Sequence, residues 1–105
     1  MYAQKRMNLY KQQSVQTSPA QLVAKLYDLG IRACREEDRA QLRKVLVELI
    51  GSINFEKGGA LAEQLYGLYQ YCMQESATGD LDVIADLLLD LRDTWRQHVL
   101  RNRAA

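Results

Sequence analysis

Apolar residues recur along this chain at intervals of three and four, the period of an amphipathic α-helix and not of a strand. The first run places Leu22, Val23, Leu26, Tyr27, Leu29, Gly30, Ala33 and Cys34 on one side, with Gln21, Lys25, Asp28, Arg32 and Arg35 on the other. It predicts a helix from about Ser18 to Glu36, started by Ser18 as cap, Pro19 at the first helical position and Gln21 three residues after the cap. The charged run from Arg35 to Arg39 breaks the rhythm, and Asp38 is placed to cap the next helix. That second helix, about Arg39 to Ile53, gathers Leu42, Val45, Leu46, Leu49, Ile50 and Ile53 opposite Lys44 and Glu48. Asn54 and the Gly58-Gly59 pair favour turns and are expected to stop it. A third helix, about Gly59 to Ser76, ends near Gly79, and Asp80 caps a fourth from about Leu81 to Arg101. Acidic residues crowd the start of the fourth helix and arginines its end, as the helix macrodipole favours. Links this short make successive helices antiparallel, so the expected fold is an all-α antiparallel four-helix bundle over residues 18–105.

The third helix carries more apolar surface than such a bundle needs. Leu61, Leu65, Leu68 and Cys72 form a stripe at 4-3-4 spacing, the usual core pattern. Ala62, Tyr66, Tyr69 and Met73 repeat that spacing one residue later, about 100° around the helix. The fourth helix also spreads Val83, Ile84, Leu87, Leu88, Leu91, Trp95 and Val99 over a broad arc. A core-facing helix uses an apolar arc a little over 100° wide, which leaves two readings open. Either these helices are central in an irregular bundle, or the surplus forms a groove for another polypeptide. On the second reading the groove wall is Ala62, Tyr66, Tyr69 and Met73 with Leu87 and Leu91, extended by Ile50 and Ile53. Leu26, Leu65, Leu68, Leu88 and Trp95 are then core.

Composition narrows the function. With 105 residues, 48% apolar and 26% charged, the chain holds one core and no second domain. A net charge of +1 argues against a dedicated nucleic-acid binder. No apolar run suits a signal sequence or a membrane span, so a cytosolic protein without membrane insertion is expected. Residues 1–17 are set apart as a polar, acid-free, mobile N-terminal arm dotted with Tyr2, Met7, Leu9, Tyr10 and Val15. Cys34 and Cys72 form no metal or redox motif and read as reduced core thiols. Catalysis finds no support: His98 is the single histidine, and no nucleophile motif surrounds any Ser or Cys. Asp82, Asp86, Asp90 and Asp93 form a carboxylate stripe, but the Glu-x-x-His partners of a di-iron bundle are missing. Neither an enzyme nor a cofactor nor a metal is expected.

Segments spread along nearly the whole chain resemble the FliS family of flagellar secretion chaperones. They are Tyr10-Lys11-Gln12-Gln13, Val15, Thr17-Ser18-Pro19 with Leu22, Leu26-Tyr27-Asp28, Glu56-Lys57-Gly58-Gly59, Leu65, Leu68-Tyr69, Tyr71, and Leu91-Arg92-Asp93-Thr94-Trp95. Leu29 stands where that family has Gly, and the stretch from Tyr27 to Ser52 is shorter by about a dozen residues, roughly two turns from each helix of the first hairpin. The resemblance implies a cytosolic chaperone that holds the C-terminal segment of flagellin, preventing early polymerisation and aiding delivery to the export apparatus, with an export gate component as a further partner. It also implies that the arm can occupy the client groove, through Tyr10 and Val15. The alternative is a shortened paralogue that regulates flagellar assembly or self-associates through the same apolar surface.

Overall fold

The fold is that of a computed structural model that describes residues 18–100. Four helices follow in order: α1 (Pro19–Arg35), α2 (Arg39–Gly51), α3 (Phe55–Thr78) and α4 (Leu81–Trp95), the last continued by a π-helical turn, Arg96–Leu100. There is no strand among the described residues. Each helix starts where a side chain can satisfy its free amides. The Ser18 hydroxyl accepts from the Gln21 amide while the Gln21 side chain accepts from the Ser18 amide, a complete capping box. Asp38, Asn54 and Asp80 accept in the same way from Gln41, Lys57 and Asp82.

The link between α1 and α2 is a single compact device. The Asp38 amide donates to the Ala33 carbonyl at 2.8 Å and the Glu37 amide to the Cys34 carbonyl at 3.2 Å, the paired bonds of a Schellman stop. Asp38 thus closes one helix with its backbone and opens the next with its side chain. The geometry places Glu37 at φ +56°, a left-handed conformation that suits glycine better. Glu37→Gly is expected to stabilise the protein by about 0.5–1 kcal/mol, a rise of a few degrees in thermal melting.

Helices α1 and α4 share the broadest contact, then α1 with α2 and α2 with α3, while α3 and α4 touch along a narrower one. Their directions follow from the cross-links. The Trp95 indole N–H donates to the Ala20 carbonyl at 2.8 Å, joining the end of α4 to the start of α1. Arg39, at the start of α2, donates to the Ser76 and Gly79 carbonyls at 3.1 and 3.0 Å, occupying acceptors that the end of α3 leaves free. Both pairs are therefore antiparallel. Gly30 allows the tightest approach: a Cβ there would lie 2.9 Å from Leu88 Cδ1 and 3.3 Å from Val45 Cγ1.

Three expectations need correction. The second helix ends at Gly51, and the third begins at Phe55 because Asn54 caps it there. The glycine pair consequently lies inside α3: Gly59, at φ 52° and ψ −128°, separates one helical turn from the long helix that follows. The third correction concerns which side of α3 faces inward. Its buried line is Ala62, Tyr69, Cys72 and Ser76, with Leu65 half-buried between them, a 3-4-3-4 row drawn from both predicted stripes. Leu61 is 63% exposed. Paired from Arg39 opposite Ser76, α2 runs out opposite about residue 65, so Leu61 lies roughly one turn beyond its cover.

Candidate partner-binding face

The segments Leu26-Tyr27-Asp28 and Leu91-Arg92-Asp93-Thr94-Trp95 hold the bundle shut. Tyr27 and Tyr69, both fully buried, meet hydroxyl to hydroxyl at 2.5 Å across the core. Arg92 donates to Asp28 at 2.9 Å and Arg96 donates to the other Asp28 oxygen at 3.1 Å, so one carboxylate gathers two guanidinium groups from the end of α4. With the Trp95 bond, this ties α1 to α4 along its length. No buried side-chain nitrogen or oxygen among the described residues lacks a hydrogen-bond partner, so the core holds no polar atom aimed at an absent ligand. No group of three His, Cys, Asp or Glu side chains among those residues could hold a metal ion. No described helix is long and apolar enough to cross a membrane.

Of the large apolar side chains that the core leaves exposed, Leu29 stands on α1 and Val83 on α4, and the others lie on α2 and α3. Val47 is 56% exposed, Phe55 50% and Tyr66 37%. The Phe55 ring meets Tyr66 edge to face, with centroids 5.8 Å apart, and the Tyr66 hydroxyl accepts from the Gln70 amide side chain at 2.9 Å. Two turns further along the same edge of α3, half-buried Met73 joins Arg43, Lys44, Val47 and Glu48 in lining an open groove of about 270 Å³. The edge from Phe55 through Tyr66 to Met73 and Val47 is thus an apolar row with basic side chains at one end.

The residues expected to form one groove wall divide three ways. Tyr66 and Met73 lie on this row. Tyr69, 2% exposed, is instead inside the core, and Ala62 is buried beside Gly58 of the first turn of α3, so neither presents a free wall. The reason for Tyr69 is its hydroxyl, which finds a buried partner only when α3 turns toward Tyr27. Ile50, Ile53, Leu87 and Leu91 are half-buried and packed against the core, and none of them lines the groove at Met73. Tyr10 and Val15, with the rest of the arm, lie outside the described residues. Val47 and Phe55 were missed. Val47 falls next to the predicted α2 face, and Phe55 sits in what read as a turn. The detectable signal was a large apolar residue beside Asn54, itself a helix cap.

Of the residues expected in the core, Leu88 is fully buried, Leu26, Leu65 and Trp95 pack against it half-buried, and Leu68 is half-buried. Cys34 and Cys72 are both buried, and burial raises both thiols, Cys72 to about 11 with Cys34 as a second cause.

No curated protein and no solved structure matches the chain. The family model described as flagellar protein FliS matches residues 2–102, nearly its whole length. The match takes in the clamp residues around Asp28 and Arg92 as well as the apolar row, and the chain belongs to the FliS family of flagellar proteins.

Proposed function

We propose that the protein is a cytosolic chaperone that binds the C-terminal segment of flagellin as an amphipathic helix along the α2–α3 face, preventing premature polymerisation and aiding delivery to the export apparatus. Family membership supports a flagellar chaperone role in general. The finer reading rests on one observation: Val47, Tyr66 and Met73, with the Phe55 ring set against Tyr66, form an apolar row that the packed core leaves at the surface. A partner helix can fill such a row with anchors at i, i+3 or i+4, and i+7. Arg43 and Lys44 at the Met73 end suit acidic side chains flanking those anchors. Ile50 on α2 and Ile53 in the link after it support the row in this reading. Leu87 and Leu91 extend the proposed footprint onto α4 for an extended continuation of the client, and Tyr10 and Val15 remain the proposed contacts of the arm. The role is one of holding, with no chemistry performed on the client.

The test is titration of the purified protein with flagellin from the same source and with flagellin lacking its C-terminal segment. Binding is expected only to the intact chain. Tyr66→Asp is expected to weaken binding at least tenfold, about 1.4 kcal/mol, with thermal melting changed by no more than a few degrees. Equal binding of both flagellins would sink the assignment. A chain that ignores both and elutes as a dimer would instead favour self-association.

A further inference from the structure

The first turn of α3 is built as a separate piece. Asn54 caps it, the Gly58 amide closes it by donating to the Asn54 carbonyl at 2.8 Å, and Gly59 then departs from helical geometry at φ 52° and ψ −128°. An L side chain is strained there, although a Cβ on Gly59 would meet no atom within 4 Å. The strain of a side chain at this joint is therefore one of backbone torsion and not of crowding. The turn that the joint carries folds back on the helix. A Cβ on Gly58 would lie 2.7 Å from the Ala62 Cβ, and the Phe55 and Tyr66 rings meet edge to face. Ala62 and Tyr66 are one helical turn apart and continue at i+11 to Met73. The turn thus covers the near end of the row whose far end is the open groove at Met73.

We propose that the Phe55–Gly58 turn is a resident occupant of the partner-binding face, swung on Gly59 and displaced when a partner helix docks. This rests on the preceding reading of that face. Phe55 fills the place at Tyr66 that an apolar or aromatic anchor of the client takes over. Its departure also bares Ala62, so that Ala62, Tyr66 and Met73 form one continuous stripe. The closed turn lowers client affinity by the factor needed to open it. For an exposed edge-to-face aromatic pair that factor is roughly two- to tenfold. The device also keeps apolar surface covered while no client is present.

Phe55 is the only phenylalanine of the chain, so biosynthetic 4-fluorophenylalanine labels the turn alone. In the free protein Tyr66→Leu is expected to move this fluorine resonance. Addition of the flagellin C-terminal segment is expected to shift it toward the solvent-exposed position, with a larger difference between H2O and D2O. Phe55→Ala is expected to bind the segment two- to tenfold more tightly than the unmodified chain. Gly59→Ala, which strains the closed turn and leaves the ring in place, is expected to act in the same sense, with thermal melting verifying that both variants fold. Binding that leaves the resonance unmoved or more protected, or Phe55→Ala binding equally or more weakly, overturns the displacement and leaves the client reading intact. Failure of both the unmodified chain and Phe55→Ala to bind the segment overturns the two readings together.

Discussion

Tyr69→Asp is expected to unfold the protein, with loss of the helical circular dichroism signal at 25 °C. The side chain is enclosed, so removal of its ring leaves a core cavity costing about 3–5 kcal/mol. The new carboxyl group adds a polar burial cost of about 1–3 kcal/mol, and the Tyr27 hydroxyl loses its partner. Together these approach the whole stability of a domain this size, about 5–15 kcal/mol. A double-mutant cycle isolates the hydroxyl pair. Tyr69→Phe and Tyr27→Phe each leave one buried hydroxyl without its mate and are expected to cost about 1–3 kcal/mol in denaturant unfolding. The double Phe variant removes both polar groups while keeping both rings, and recovers most of that loss. Additive single losses would show that the hydroxyls do not depend on each other.

The same pair shapes the response to alkali. Burial raises Tyr69 well above its ordinary value of 10.0, with the facing Tyr27 phenol as a further cause. Burial also raises Tyr27, against the partly offsetting bond from Tyr69. The buried cysteines move the same way from 9.0. Since the folded values lie above the unfolded ones, the unfolded chain releases these protons first. Their contribution is complete below the unfolded values and is lost as pH rises beyond them. Stability is therefore expected to fall from about pH 9, where the thiols begin to ionise in the unfolded chain, and more steeply above 10. The double Phe variant is expected to flatten the tyrosine part of that fall.

Gly30→Leu is expected to cost roughly 3 kcal/mol, read as a lower denaturant midpoint with an unchanged slope. Gly30 is where α1 approaches both α4 and α2, and even a methyl group would press on Leu88 and Val45. Both neighbours are buried, and close-packed interiors leave little room for such side chains to retreat. Gly30→Ala separates the two effects at this position. Its gain in helix propensity, about 1 kcal/mol, opposes the crowding. It is expected to fall between wild type and Gly30→Leu. A Leu variant as stable as wild type would mean that α1 and α4 can slide apart, and that the broadest contact of the bundle is loose.

Three of the four helix starts were legible because capping is local. Ser18, Asp38 and Asp80 announce their helices within four residues of sequence, and each caps as expected. Phe55 escaped because Gly58-Gly59 reads as a stop, whereas a single positive-φ glycine can instead join two helical pieces. The family segments were legible too, but not their purpose. Asp28 and Arg92 are 64 residues apart, and only the antiparallel pairing of α1 and α4 reveals them as a clamp.

The sequence by itself determined the helical class and the order of the helices, since these depend on period and caps. It could not determine the phase of α3. When apolar residues cover more than half a helix circumference, spacing fits several rotations nearly equally well. The tertiary structure decided it through contacts that no local pattern contains: Tyr69 takes the rotation that gives its hydroxyl a buried partner on Tyr27. That same rotation leaves Tyr66 and Met73 along an outer edge of the bundle, and α2 ends too soon to cover Leu61.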